Sequence, residues 1–224
     1  IETANNEGHS PEFLTNTLDY IDNLTARKLP VIFSLKHFSL LIGMDLSDVI
    51  KIINNRNNHY TYYLIKKKKG GFRRIVAPYK DLKFMQSWIK ENILDKVDSS
   101  QQATGFIKGK SILNNAKNHE NSNVILNLDL SNFFETITEK RVYGIFCSLG
   151  YSKNLAVEFA KICTAQMSEE KYDTLPLEKQ EYFKEIYQLK EPVLVQGAPT
   201  SPNLSNLVCR RLDLRLSKLS NKLG

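Results

Sequence analysis

Apolar positions recur at helical spacing along most of this chain and switch to alternation in two places. Leu35, Phe38, Leu41 and Ile42 share one helical face, opened by a Phe33-Ser34 staple and cap and closed by Gly43. Leu46, Val49, Ile50 and Ile53 make a second short stripe, and a further helix is expected over Phe13–Leu24 within the polar first thirty residues. Asp81 can cap a helix that buries Leu82, Met85, Ile89, Ile93 and Val97, with Trp88 beside that face as core. Ser111 can cap a short helix over Ile112–His119. Thr138 opens one with Val142, Ile145, Phe146 and Leu149 inward and Gly150 as its stop, and Ser152 opens another with Leu155, Phe159 and Ile162. Ser201-Pro202, a hydroxyl cap followed by proline in the first turn, starts the last helix. Leu204, Leu207, Val208, Leu212, Leu216 and Leu219 are its buried side, with Arg210, Arg211, Arg215, Lys218 and Lys222 elsewhere on it.

Alternation appears first at Tyr60–Ile65, rich in β-formers, and returns at Arg73–Ala77 after a Gly70-Gly71 turn, with Pro78 as the end. This reads as a hairpin with Lys66–Lys69 at its tip. Val124–Leu130 is the strongest strand: Leu126, Leu128 and Leu130 point one way, Ile125, Asn127 and Asp129 the other. Residues 167–191 break the pattern. They are charged and Tyr-rich, with little apolar periodicity, and read as an insertion that is helical around Leu177–Leu189. The fold class is therefore α+β.

Composition narrows the function. The chain has 224 residues, 42% hydrophobic and 25% charged, ordinary for a globular protein with a real core. No apolar run is long enough to span a membrane, and no signal pattern opens the chain, so a cytoplasmic location is expected. It begins at Ile1 rather than Met, as expected of a piece of a longer protein. The net charge of +7 favours a polyanion partner, nucleic acid above all, over a merely Lys-rich surface. Cys147, Cys163 and Cys209 are far apart and form no CxxC pair, and the four histidines are scattered. Neither a disulfide framework nor a zinc site is indicated.

Three segments can carry chemistry. Asp129 ends an apolar strand, where a lone carboxylate is costly unless it has a partner. A bound Mg²⁺ would meet that need, and capping of the next turn is the alternative. Lys66–Lys69 and Arg73-Arg74 flank a Gly-Gly turn, so several cations can fold over one anion such as a triphosphate; taken alone, a solvated hairpin tip is the simpler reading. Gln196-Gly197 joins a side chain that can both donate to and accept from a sugar or base to a residue that admits close backbone approach; an ordinary loop before a helix is the alternative.

Asp129-Leu130-Ser131-Asn132-Phe133-Phe134 resembles the first catalytic block of reverse transcriptases of the group II intron and retron lineage. Gln196-Gly197-Ala198-Pro199-Thr200-Ser201-Pro202 resembles their QGxxxSP block, and the Lys-rich hairpin ending Arg73-Arg74-Ile75-Val76 their fingers motif, all in the family's order. Asn115-Ala116-Lys117-Asn118-His119 matches the NAxxH element of retron reverse transcriptases. Two departures stand out. Val195 replaces the usual proline before the QG pair, and the aromatic-x-Asp-Asp block is not found in these residues.

The resemblance implies a right-hand polymerase: mostly helical fingers with a β-hairpin, an antiparallel palm sheet, and a thumb that this sequence does not contain. Residues 1–59 would be an N-terminal helical region and 60–125 the fingers with the NAxxH element. Residues 126–150 would be the first part of the palm, 151–195 helices carrying the 167–191 insertion, and 196–224 the palm loop and helix before the aromatic-x-Asp-Asp block. It implies an RNA-directed DNA polymerase that uses two Mg²⁺ ions, with Asp129 and the Leu130 carbonyl as metal ligands. Lys67 and Arg73 would hold the triphosphate, Phe134 would gate against a 2′-hydroxyl, and Gln196 and Gly197 would lie along nucleotide and template. Asn115 and His119 would contact the RNA. The implied partners are deoxynucleotides, a structured non-coding RNA copied into RNA-linked single-stranded DNA, and an effector or toxin protein in anti-phage defence. A group II intron or other defence-associated reverse transcriptase shares every feature except Asn115–His119. A catalytically inactive RNA-binding module is the reading of another class.

Overall fold

In the computed structural model, which describes residues 10–117, 119–120 and 122–223, helices pack around one hairpin. The elements are α1 (Pro11–Ala26), α2 (Leu35–Ile42), α3 (Leu46–Asn54), β1 (Tyr60–Lys66), β2 (Phe72–Pro78), α4 (Lys80–Asn92) and α5 (Ile112–Lys117). They continue with α6 (Glu139–Ser148), α7 (Lys153–Cys163), α8 (Glu169–Asp173), α9 (Leu177–Tyr187) and α10 (Ser201–Leu223).

Local chemistry sets most boundaries as expected. The Ser34 hydroxyl accepts from the His37 amide at 3.1 Å, and Gly43 closes α2 in the left-handed region at φ 67°. Ser152 caps α7 through the Leu155 amide at 3.4 Å. Three expected caps are different. Thr138 stands at the cap position of α6, but its side chain makes no capping hydrogen bond. Asp81 lies inside the first turn of α4, behind Tyr79 at the cap, and acts on the helix dipole rather than on an orphan amide. Ser201 is the first residue of α10, and its buried hydroxyl donates to the Val195 carbonyl at 2.8 Å. It thus pins the loop before the helix.

The core sits between α4, α6, α7 and the inner face of the hairpin. Phe159 is its aromatic centre, with ring centroids 5.2 Å from Phe38, 5.2 Å from Phe146 and 5.5 Å from Tyr151. Trp88 meets Phe38 edge-on at 5.4 Å, core as expected. Buried Gln86 reaches two other elements: its amide donates to the Tyr60 hydroxyl at 2.9 Å and to the Ile162 carbonyl at 2.8 Å. That pair of bonds ties β1 and α7 to α4, and burial raises the Tyr60 phenol. In α3 the inward residues are Val49, Ile52 and Ile53, whereas Ile50 is exposed. Among the described apolar residues of α10 only Leu204 is fully buried, and Leu212, Leu216 and Leu219 face outward.

The main departure is Val124–Leu130. It runs without regular strand pairing, and the sole sheet among the described residues is β1–β2. Leu126 and Leu128 are 80% and 79% exposed, so the expected antiparallel palm sheet is not formed by these residues. The alternation is real, but a strand stands only where a neighbour takes its amides and carbonyls, and none does so here.

The 167–191 insertion is better anchored than its composition suggested. α8 and α9 fall within it, Phe183 is fully buried and Ile186 nearly so. The Phe183 ring meets Tyr62 of β1 at 5.6 Å and 90°, and Tyr172 stacks on Tyr187 at 4.2 Å. Below it, Val193 bridges both Thr138 and Ala165, carrying the chain back toward the loop before α10.

Candidate functional site

The hairpin turn places its cations. Lys66 pairs with Phe72, the Lys67 amide donates to the Gly71 carbonyl at 2.9 Å, and Gly70 and Gly71 hold φ of 92° and 75°. Only glycine accepts both values without strain, which explains the Gly-Gly pair. On β2, Arg73 and Arg74 are neighbours that differ in their partners. Arg74 makes three side-chain hydrogen bonds: Nη1 donates to Glu185 Oε2 at 2.7 Å and to the Tyr182 carbonyl at 3.2 Å, and Nη2 donates to Asn132 Oδ1 at 2.7 Å. Glu135 adds a carboxylate 4.0 Å away. Among the described residues, no side-chain hydrogen bond or ion pair engages Arg73 or Lys67.

Asp129 and Leu130 end the extended segment. The chain then turns sharply, with Asn132 at φ 49°, a region Asn tolerates better than most residues. A single 3₁₀ turn over Phe134–Thr136 follows, closed by the Thr136 hydroxyl donating to the Phe133 carbonyl at 2.7 Å. Asp129 is exposed rather than buried, so its carboxylate needs no structural partner.

Gln196-Gly197 docks on the hairpin. The Val76 amide donates to the Gln196 carbonyl at 2.8 Å. Gly197 sits at φ 125°, where an added Cβ would lie 2.8 Å from the Val76 carbonyl oxygen and 2.9 Å from Ile75 Cγ2. The close approach that glycine permits is therefore to β2.

These segments converge on one open cleft of about 660 Å³. Lys67, Arg73, Asp129, Leu130, Phe134 and Gln196 all line it, with Arg74, Asn132, Glu135 and Tyr182 beside them. Six of the nine expected site residues are thus brought together. Gly197 lies behind the cleft, against β2. Asn115 and His119 lie outside it. The Asn115 side chain accepts from the Thr104 hydroxyl at 3.1 Å and lines a neighbouring depression with Lys110, which shares Gly105 and Phe106 with the cleft. His119 lies in the turn after α5.

The polar character of the cleft follows from that pairing. Arg74 is neutralised by its carboxylates, which leaves Lys67 and Arg73 as the cations open to an anion. The Arg74 hydrogen bond holds the Glu185 carboxyl below its ordinary range. A lowered folded pKa means this tie is in place at neutral pH and is lost as pH falls through that value. As metal ligands, the Asp129 carboxylate and the Leu130 carbonyl are hard oxygen donors of the right chemistry. Among the described residues no three acidic, His or Cys side chains gather into a metal cluster. They supply a share of a site for a divalent cation, and two ions need further carboxylates.

Sequence reasoning grouped Arg74 with Arg73 over one anion and missed its partners Asn132, Glu185 and Tyr182. The tandem arginines on a strand were the available signal.

The reverse transcriptase (RNA-dependent DNA polymerase) family profile matches residues 65–222, from the end of β1 to the end of α10. The chain belongs to the reverse transcriptase family. Retron enzymes are among its curated relatives. The chain is 39% identical over 152 residues to the Retron Ec86 reverse transcriptase of Escherichia coli, covering 68% of this chain and 40% of that protein. It is 34% identical over 157 residues to the Retron Mx162 reverse transcriptase of Myxococcus xanthus, covering 69% and 30%. To the Retron Mx65 reverse transcriptase of the same organism it is 37% identical over 155 residues, covering 69% and 35%. The aligned region thus spans well under half the length of each of these relatives. The mixed helical architecture with its hairpin fits a polymerase fingers and palm. Among the described residues no helix is long and apolar enough to cross a membrane.

Proposed function

We infer that this chain is the fingers and first palm portion of a retron reverse transcriptase, an RNA-directed DNA polymerase. One observation carries the reading: the free cations Lys67 and Arg73 line the same cleft as Asp129 and Leu130, in a chain of the reverse transcriptase family. Lys67 and Arg73 hold the triphosphate of an incoming deoxynucleotide. Asp129 and the Leu130 carbonyl contribute ligands to Mg²⁺, and a pair of such ions would neutralise charge on the transferring phosphoryl group. Phe134 stands under the sugar, and Gln196 borders the nucleotide and template. Asn115, in the adjoining depression, and His119, in the turn after α5, contact the RNA. The setting is cytoplasmic, with a structured non-coding RNA copied into DNA that stays joined to it, serving anti-phage defence together with an effector protein. The retron names of the relatives and the Asn115–His119 element favour this over a group II intron enzyme.

The test is sequencing of nucleic acid that co-purifies with the natural-length protein, beside its Asp129→Ala variant. A single structured RNA joined to short DNA, with the DNA missing in the variant, is the expected result. Heterogeneous RNA without DNA in both samples would overturn it.

Two variants probe the cleft directly. Lys67→Ala and Arg73→Ala should each raise the KM for deoxynucleotide about tenfold or more, since each removes a charge-assisted contact to the triphosphate. Single-nucleotide incorporation kinetics check this, and an unchanged KM would return both residues to a solvated hairpin tip. Phe134→Ala should admit ribonucleotides, and unchanged sugar discrimination would make the ring packing alone.

A further inference from the structure

We propose that the 167–191 insertion is part of the nucleotide site, with Glu185 of α9 acting as a positioning residue through the node Glu185–Arg74–Asn132. This rests on the polymerase reading above.

The node joins three segments distant in sequence. Arg74 adjoins the free Arg73 on β2. Asn132 is the left-handed residue of the turn that connects Asp129 to Phe134. Glu185 comes from the insertion. Each pair is bonded: Arg74 to Glu185 at 2.7 Å, Arg74 to Asn132 at 2.7 Å, and the Asn132 amide to Glu185 at 3.1 Å. A closed triangle of this kind fixes relative placement, because no member can move without breaking two bonds. Two aromatic contacts hold α9 to the hairpin: Phe183 on Tyr62, and Tyr182 edge-on to Phe72 at 5.4 Å. Tyr182 also lines the cleft.

The chemistry follows from occupancy. A guanidinium held by Glu185, Asn132 and the Tyr182 carbonyl is fixed in place and has two N–H donors of its five left over, so its charge serves these partners first. Arg73 is left as the β2 cation for the nucleotide, and Arg74 sets the turn that presents Phe134. Without Glu185, Arg74 loses its closest carboxylate and Asn132 loses an acceptor. The turn then relaxes, and a second cation is freed beside the cleft.

The experiment uses the natural-length protein with Glu185→Ala and Glu185→Gln. It combines single-nucleotide incorporation kinetics, discrimination between deoxy- and ribonucleotides, thermal melting, and amide hydrogen exchange over residues 131–136. Glu185→Ala should raise the KM for deoxynucleotide about fivefold with kcat held within about twofold, the loss of one partly exposed charged hydrogen bond. Sugar discrimination should fall and exchange at 131–136 should quicken. The melting temperature should not move, because the Glu185 side chain is 68% exposed. Glu185→Gln keeps an acceptor oxygen and should recover most of the KM. Unchanged KM, discrimination and exchange in Glu185→Ala would overturn the proposal. So would a lowered melting temperature with kcat and KM falling together, the mark of a plain structural brace. Wild-type protein that incorporates no nucleotide would overturn the polymerase reading and with it the nucleotide role. Faster exchange in the variant would then show the node to be a scaffold only.

Discussion

Asp129→Ala should abolish DNA synthesis, by about a thousandfold or more, and leave the protein folded. The size of the loss follows from the metal-holding role proposed for the carboxylate. Electrostatic stabilisation of a transferring phosphoryl group is the largest share of such catalysis, and removing one preorganised charge there costs orders of magnitude. The intact fold follows from where Asp129 sits. It is exposed, at the end of a segment with no regular pairing, and no hydrogen bond or ion pair of its side chain holds another element among the described residues. Deleting an exposed side chain without partners shifts stability by about half a kcal/mol at most. Primer extension on an RNA template, paired with denaturant unfolding of the same preparations, separates the two effects. A variant that extends at the normal rate removes Asp129 from the mechanism. One that fails to fold assigns it a structural part that its exposure does not suggest.

Gly197→Ala should have the opposite profile, a stability loss of about 3 kcal/mol or more. A φ of 125° is one that L side chains rarely adopt, and the new Cβ would meet backbone, 2.8 Å from the Val76 carbonyl oxygen and 3.1 Å from its carbon. Backbone in the middle of a hairpin cannot step aside as a flexible side chain can. Val76 is registered against Tyr62 and Ile75 against Tyr63. The strain must then be relieved by breaking the 2.8 Å bond from Val76 to Gln196, which also carries the Gln196 side chain away from the cleft. A lower midpoint of denaturation at unchanged m-value would establish the packing role. An unchanged midpoint with a raised nucleotide KM would give Gly197 back the direct contact that the family resemblance implied.

What the chain disclosed in advance divides along physical lines. The hairpin was legible because its information is local: β-formers on each side and a Gly-Gly turn that only one backbone geometry explains. The helices were legible for the same reason, through periodicity and caps. Val124–Leu130 carried an equally clear local pattern and yet forms no strand here, since pairing depends on a neighbour that the pattern does not name. The cleft was legible as a set of residue types in family order, and the structure gathers Lys67, Arg73, Asp129, Leu130, Phe134 and Gln196 around it. The division of work between Arg73 and Arg74 was not resolved. Arg74 finds its partners 58 and 111 residues further along, and one of them lies in a segment with no apolar period to betray that it packs. Gly197 was read as a place of close backbone approach, and the group that approaches it in the structure is strand β2.

The docking of Gln196 on β2 has a consequence for how this molecule keeps to itself in a crowded solution. A two-stranded ribbon has two open margins, and each bare amide along them invites another chain to add a strand. On β2 the outward amide of Val76 is already taken by the Gln196 carbonyl, and Gly197 lies tight against the carbonyl of the same residue. The loop that borders the cleft is therefore also a guard rail. It closes the middle of that margin to strand addition, so a change that lifts the loop would be expected to make the protein stickier as well as slower.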